Sequence, residues 1–120
     1  MGLVAVVDDD ASMRTSIERL LQARNYTTVA FGSAEELLGS KAIDAAMGLV
    51  LDVHLGAVSG IELRRRLSAA GSTLPVVFIT AFDDEKTRDA AVKAGCVDYL
   101  RKPFDASRLI EALERGRSDG

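Results

Sequence analysis

A chain of 120 residues, 48% hydrophobic and 28% charged, suits one folded domain and excludes a disordered one. A net charge of −3 gives nucleic acid no general foothold, and a single cysteine, Cys96, excludes a disulfide framework or a multi-cysteine metal site. No apolar run approaches the roughly 18 residues of a membrane span, and the N-terminal run lacks the basic flank of a signal peptide, so the cytoplasm is the expected compartment.

Leu3–Val7 is apolar throughout, the pattern of a strand covered on both faces. Met13, Ile17, Leu20 and Leu21 recur at helical spacing, and Asn25 suits a left-handed close to that helix. Tyr26–Phe31, β-branched and aromatic, predicts a second strand. Ser33 and Glu36 have capping-box spacing and start a helix through Leu37 and Leu38. Gly48–Val53 predicts the third strand. Ser59 and Glu62 repeat the capping-box spacing before a helix whose core face holds Leu63 and Leu67. Pro75 opens a fourth strand, "PVVFIT", at a position where a missing donor is tolerated. Asp83 or Asp84 caps the fourth helix and Gly95 stops it. Val97–Leu100 forms the last strand, and Asp105 caps a final helix with Leu109, Ile110 and Leu113 on its core face. Five strands alternating with five helices imply an α/β domain, a parallel sheet with helices on both faces. The closing "ERGRSDG" gives residues 116–120 the look of a tail or linker stub, leaving 1–115 as the domain.

In an open parallel sheet the working crevice lies beyond the carboxyl ends of the strands. Asp8 and Asp9 close the first strand, Asp52 the third and Thr80 the fourth, while Lys102 follows the fifth. Two like charges 4 Å apart repel by about 4 kcal/mol at the effective dielectric of a protein surface, so the run Asp8-Asp9-Asp10 asks for a cation. Taken singly, Asp9 or Asp10 also fits a helix cap, Thr80 a strand ending in a turn, and Lys102 a solvated loop. Asp52 resists such a reading: inside "LVLDVHL" an isolated ionised carboxylate is costly. A hard divalent cation held by Asp9 and Asp52 removes that cost, and Mg²⁺ accepts one or two carboxylates while keeping several waters. Asp8, Asp9 and Asp52 with Lys102 and a divalent ion then sum to zero charge, ready for an anion. Elsewhere, Arg64-Arg65-Arg66 falls in a helical pattern and reads as a solvated face, and Cys96 reads as a small buried hydrophobe.

Together, "VVDDDASMR", "LVLDV", "VVFITA" and "YLRKPF" resemble the receiver domain of bacterial two-component response regulators, nearest to the transcription-regulating members, over nearly the whole chain. The resemblance implies a single doubly wound (βα)5 flavodoxin-like fold with sheet order 2-1-3-4-5. It implies that Asp52 takes a phosphoryl group from a phosphohistidine on a sensor histidine kinase. Asp9 and Asp52 would hold Mg²⁺ with the backbone carbonyl of His54, and Asp8 would act through a metal-bound water. Asp10 is left to cap the first helix. Lys102 supplies charge, the Thr80 hydroxyl bonds a phosphoryl oxygen, and small Ala81 leaves access. Pro103, whose preceding bond is commonly cis in the family, would aim Lys102 into the site. Such a chain is no conventional enzyme, though it would catalyse its own phosphoryl transfer and slow autodephosphorylation.

The same resemblance implies a switch in which Thr80 moves toward the phosphoryl group and Tyr99 turns inward. The face of the fourth helix, fifth strand and fifth helix would then control a homodimer or a C-terminal DNA-binding output domain. Read without the resemblance, Tyr99 is a strand aromatic with its hydroxyl in water. His54 and Phe82 occupy the positions two beyond the acceptor and two beyond the switch threonine, which tune dephosphorylation in the family. Bulky Phe82 predicts slow decay. The loop "HLGAVSG" departs from the family pattern, with Gly56 and Ala57 in place of its usual proline and glycine. Three alternatives compete. A haloacid-dehalogenase-like phosphatase would use Asp8 as nucleophile and Asp10 as acid/base, but leaves Asp52 unexplained. An FMN-binding flavodoxin-like module would not set three acids against a phosphate. A receiver-like domain that is never phosphorylated has no need of the complete set Asp8, Asp9, Asp52, Thr80 and Lys102.

Overall fold

Alternation along β1 (Leu3–Val7) divides the molecule into two cores: Ala5 and Val7 enter one, Val4 and Val6 the other, and all four are fully buried. The computed structural model describes residues 2–119. β2 (Thr27–Phe31), β3 (Ala46–Asp52), β4 (Val76–Thr80) and β5 (Asp98–Arg101) join β1 in a parallel sheet of order β2-β1-β3-β4-β5. That is the expected order, and it explains the apolar runs, because the central strands are covered twice.

Helices α1 (Ala11–Gln22) and α6 (Ala106–Asp119) close one face by laying Ile17, Leu21, Leu109 and Leu113 on Val50, Val77 and Ile79. On the other face, α2 (Ala34–Leu38), α4 (Gly60–Ala69) and α5 (Glu85–Ala94) bring Leu37, Leu63, Leu67 and Ala91 onto Leu49, Leu51 and Phe78. The caps fall where the spacing places them. Asp10 accepts from Ser12 N at 2.9 Å, Ser33 from Glu36 N at 3.1 Å and Ser59 from Glu62 N at 3.0 Å. Of the two candidates for α5, Asp84 is the cap, accepting from Thr87 N at 2.7 Å. Asn25 has the expected left-handed backbone at φ 70°, and Gly95 turns the chain at φ 94°.

Five local differences separate the structure from these expectations. A one-turn helix, α3 (Ala42–Ala45), precedes β3; Ser40 Oγ accepts from Ala42 N at 3.2 Å to start it, and a single turn has no periodicity to read. Tyr26 stands before β2 rather than within it, and β5 begins at Asp98 rather than Val97. β3 begins earlier, because Ala46 already pairs with Leu3. The segment that reads as a tail instead continues α6 as far as Asp119, with Gly120 outside the described residues. Gly116 makes this possible: a Cβ there would lie 2.6 Å from Pro75 Cβ, so only glycine lets the helix close on that proline. Among the described residues, no helix is long and apolar enough to cross a membrane.

Candidate functional site

Among the described residues, the buried polar or charged side chains are Asp8, Asp52 and Thr80, and all three stand at carboxyl ends of neighbouring strands. β1 runs out into Asp8, β3 ends on Asp52 and β4 ends on Thr80. Lys102, just past β5, reaches back to them: its Nζ donates to Asp8 Oδ2 at 2.8 Å and to Asp52 Oδ2 at 3.0 Å. The remaining carboxylate oxygens are also engaged. Asp8 Oδ1 accepts from Asp10 N at 2.9 Å, and Asp52 Oδ1 accepts from His54 N at 3.0 Å. Lys102 is anchored through its backbone N–H to Thr80 O at 2.7 Å, and the Lys102–Pro103 bond is cis.

Burial pushes the Asp52 carboxyl above the usual carboxylate range; the bonds from His54 N–H and Lys102 only partly oppose this, and the nearby Asp8 charge adds to it. For Lys102, burial alone would push the ammonium down. Its hydrogen bonds to Asp8 and Asp52, together with their charges, outweigh that effect and hold it above its ordinary value. One half-buried cation therefore serves two buried anions, and a third acid, exposed Asp9, joins them at the rim. The trio with Lys102 still carries a formal charge of −2.

That deficit fits a hard divalent cation. One oxygen from each of Asp8, Asp9 and Asp52 can lie within 4.8 Å of the others, a spacing one ion can span. The three acids line a cavity of about 280 Å³ together with Asp10, His54, Ala81, Phe82 and Lys102. A cleft of about 590 Å³ between α4 and α5 is larger, but its charged residues Arg65, Glu85, Lys86, Asp89 and Lys93 are all exposed and converge on nothing buried.

Other residues fall less neatly. The Thr80 hydroxyl is committed to the next turn, donating to Phe82 O at 2.9 Å and accepting from Phe82 N at 3.0 Å. Exposed Ala81 opens beside it, and exposed His54 and Phe82 meet edge to face at 5.6 Å across the mouth. The plain reading of Tyr99 is corrected: its hydroxyl is shielded from water, and the Arg88 guanidinium lies 5.6 Å above its ring. Cys96 is half-buried rather than buried; burial, reinforced by the Asp98 charge, pushes its thiol up. Arg65 and Arg66 do form a solvated face beside Glu62, but Arg64 is half-buried and donates from Nε to Gly95 O at 2.9 Å. Gly56 has φ 88°, a conformation that explains glycine in the departing loop.

Sequence reasoning missed two residues. Gly60 opens α4 directly behind the end of β3, where a Cβ would fall 2.1 Å from the Asp52 carbonyl oxygen. The signal was present, a glycine at the first helical position after Ser59. Arg14 sits in the first turns of α1 and donates from Nη1 to Asp8 O at 2.7 Å. No spacing rule announces that contact.

With this geometry in view, comparison with known families is decisive: the response regulator receiver domain model matches residues 4–114. The chain belongs to that family. This receiver domain is 40% identical over 112 residues to nodulation protein W of Bradyrhizobium diazoefficiens, covering 93% of this chain and 49% of that protein. It is 36% identical over 118 residues to the transcriptional regulatory protein FixJ of the same organism, covering 94% and 55% respectively. The chain thus spans about half the length of these curated relatives. Among solved structures, the crystal structure of FixJ-N superposes with a TM-score of 0.89 at 34% identity, covering 98% of this chain and 94% of that one. The response regulator StyR gives 0.87 at 34%, covering 98% and 60%. Membership in the receiver family displaces the phosphatase and flavin-module readings, and Asp10, occupied as the α1 cap, is not placed as an acid/base.

Proposed function

We propose that this receiver domain stores a phosphoryl group on Asp52 and reads it out as a change in surface. The observation that carries the reading is Lys102 Nζ between Asp8 and Asp52, at 2.8 and 3.0 Å, in a pocket still two charges short of neutrality. The donor is a phosphohistidine on a sensor histidine kinase. An Asp52 carboxylate oxygen forms the new O–P bond while the P–N bond breaks. The electron pair leaves on the imidazole nitrogen, which takes a proton from solvent. Phosphoryl transfer asks mainly for positioning and charge neutralisation. Asp9, Asp52 and the His54 carbonyl would hold Mg²⁺ directly and Asp8 through a metal-bound water, and the ion would supply part of that neutralisation. Lys102 supplies the rest at the phosphoryl oxygens, with its backbone N–H held by Thr80 O.

Readout runs through Thr80 and Tyr99. Once Asp52 carries roughly two negative charges and new acceptor oxygens, they compete with Phe82 O for the Thr80 hydroxyl. The turn from Thr80 to Phe82 leads into α5, and Tyr99 lies in β5 beside it. The face formed by α5, β5 and α6 then changes its preference for a second copy or for a DNA-binding output domain, in keeping with transcriptional-regulator relatives about twice this length. The setting is cytoplasmic, and the domain itself binds neither DNA nor membrane. Intact mass after exposure to a small phosphodonor with Mg²⁺ tests the reading: one added phosphoryl group on the wild type and none on Asp52→Ala. Label that persists in Asp52→Ala overturns it.

A further inference from the structure

Asp9 is the one carboxylate of the metal trio without a hydrogen bond or ion pair among the described residues, so its direction is set by the backbone that carries it. That backbone is held at three points. Asp10 N–H donates to Asp8 Oδ1 at 2.9 Å, and Asp10 Oδ1 caps α1. The third point is Arg14, whose Nη1 donates to Asp8 O at 2.7 Å and so ties the end of β1 to the first turns of α1 across the Asp9 turn. Arg14 is half-buried and boxed in. Nη1 would stand 3.2 Å from a Cβ on Gly32, and that Cβ would lie 3.7 Å from the Glu36 carboxylate, which itself accepts from Gly32 N at 2.9 Å. The β2–α2 turn thus seats the guanidinium, and the guanidinium seats the acidic turn.

We infer that Arg14 is a positioning residue for divalent-cation binding, acting through the Asp8 carbonyl to aim Asp8 and Asp9. The inference rests on the proposed Mg²⁺ reading of the pocket. Its sign separates it from a simple charge effect. A cation close to three acids opposes Mg²⁺ by Coulomb repulsion, so on charge alone its removal tightens binding. If Arg14 instead holds the ligands in place, its removal weakens binding, by about tenfold for a partner one step outside the ligand shell.

Titration of the full chain with MgCl₂, followed through the backbone amide signals of Asp9, Asp10 and His54, decides between them. Arg14→Ala is expected to raise the Mg²⁺ dissociation constant about tenfold. Arg14→Lys, which keeps a donor and a charge, is expected to recover most of the loss. A thermal melt of each variant confirms that the titration is made on folded protein, and Arg14→Lys carries the test should Arg14→Ala fail to fold. Equal or tighter Mg²⁺ binding by Arg14→Ala, or no recovery in Arg14→Lys, overturns the inference while leaving the acceptor role of Asp52 intact. Absence of any Mg²⁺ response in the wild type overturns both.

Discussion

The two ends of the sheet are made by the same strands and solve opposite problems. At the amino end the chain closes on itself: Gly116 admits Pro75, a Cβ on Gly48 would meet Leu113 at 3.2 Å, and Tyr26 bonds Glu114 of α6. Groups there find neutralising or apolar neighbours. At the carboxyl end Asp8, Asp52 and Thr80 are equally buried, yet one lysine must answer for two carboxylates and Asp9 has no ion pair among the described residues. One end spends its burial on packing; the other keeps a charge deficit that a ligand can fill. This matches the rule that open parallel sheets place function beyond their carboxyl edge.

The sharpest way to break the comparison is to make the carboxyl end fail by packing rather than by charge. Gly60→Ala does this, because a methyl 2.1 Å from the Asp52 carbonyl oxygen must displace either α4 or the end of β3. Loss of roughly 3 kcal/mol or more of stability is expected, together with loss of phosphorylation. Denaturant unfolding and intact-mass labelling check it; a stable, fully labelled variant would show that the close approach does not constrain the site.

Lys102→Met comes next. It leaves Asp8 and Asp52 buried without their cation, so stability at pH 7 should fall by about 3 kcal/mol and phosphorylation by at least about a hundredfold. The pH dependence has a definite sign. Burial already pushes the Asp52 carboxyl up, removal of the lysine bonds that oppose it pushes it further, and an acid whose folded pKa lies above its unfolded value costs stability where it is ionised. The deficit should shrink as pH falls toward the ordinary carboxylate range near 4, and also on adding Mg²⁺ at pH 7. Unfolding curves at pH 7 and pH 4.5 measure it; a deficit that grows on acidification contradicts the charge account.

How much of this was legible in the sequence follows the same division. Strands, caps and the five polar residues at the carboxyl edge were readable because each rests on local spacing: Asp8 and Asp9 after an apolar run, Asp52 inside one, Ser59 three residues before Glu62. The resemblance to receiver domains then gave those residues roles. What spacing cannot carry is a contact between distant segments. Gly116 looked like a tail marker because Pro75, its reason for being small, lies about forty positions earlier. The seating of Arg14 depends on Gly32 and Glu36, and the shielding of the Tyr99 hydroxyl depends on how β5 packs beneath α5.

A smaller effect is expected at the mouth. Phe82 is 69% exposed, outside the core, and meets His54 edge to face in the cavity shared with Asp52, so under the proposed function it would stand in the path of attacking water. Phe82→Glu should leave stability unchanged within about 0.5 kcal/mol and shorten the lifetime of the phosphorylated protein several-fold. Mass spectra taken during decay after removal of the phosphodonor check it. A wild type that decays in seconds, at a rate Phe82→Glu does not change, excludes any screening role.

At the amino end the corresponding test touches stability alone. Burial, followed by the hydrogen bond to the Glu114 carboxylate, pushes the Tyr26 hydroxyl up to about 12 from its usual 10.0. A group whose folded pKa is raised contributes its stability in full below the unfolded value and loses it as pH climbs through the folded one. For Tyr26 the window runs from pH 10 to about 12, and a shift of that size corresponds to about 2–3 kcal/mol at most. Tyr26→Phe should therefore be less stable than the wild type at pH 8 by about 1.5 kcal/mol, with the gap closing toward pH 12. Phenolate absorbance offers a second reading, since the chain has only two tyrosines, Tyr26 and Tyr99. The late transition should vanish in Tyr26→Phe while Mg²⁺ binding and labelling of Asp52 stay as they were. A change in either would mean that the two ends of the sheet are coupled.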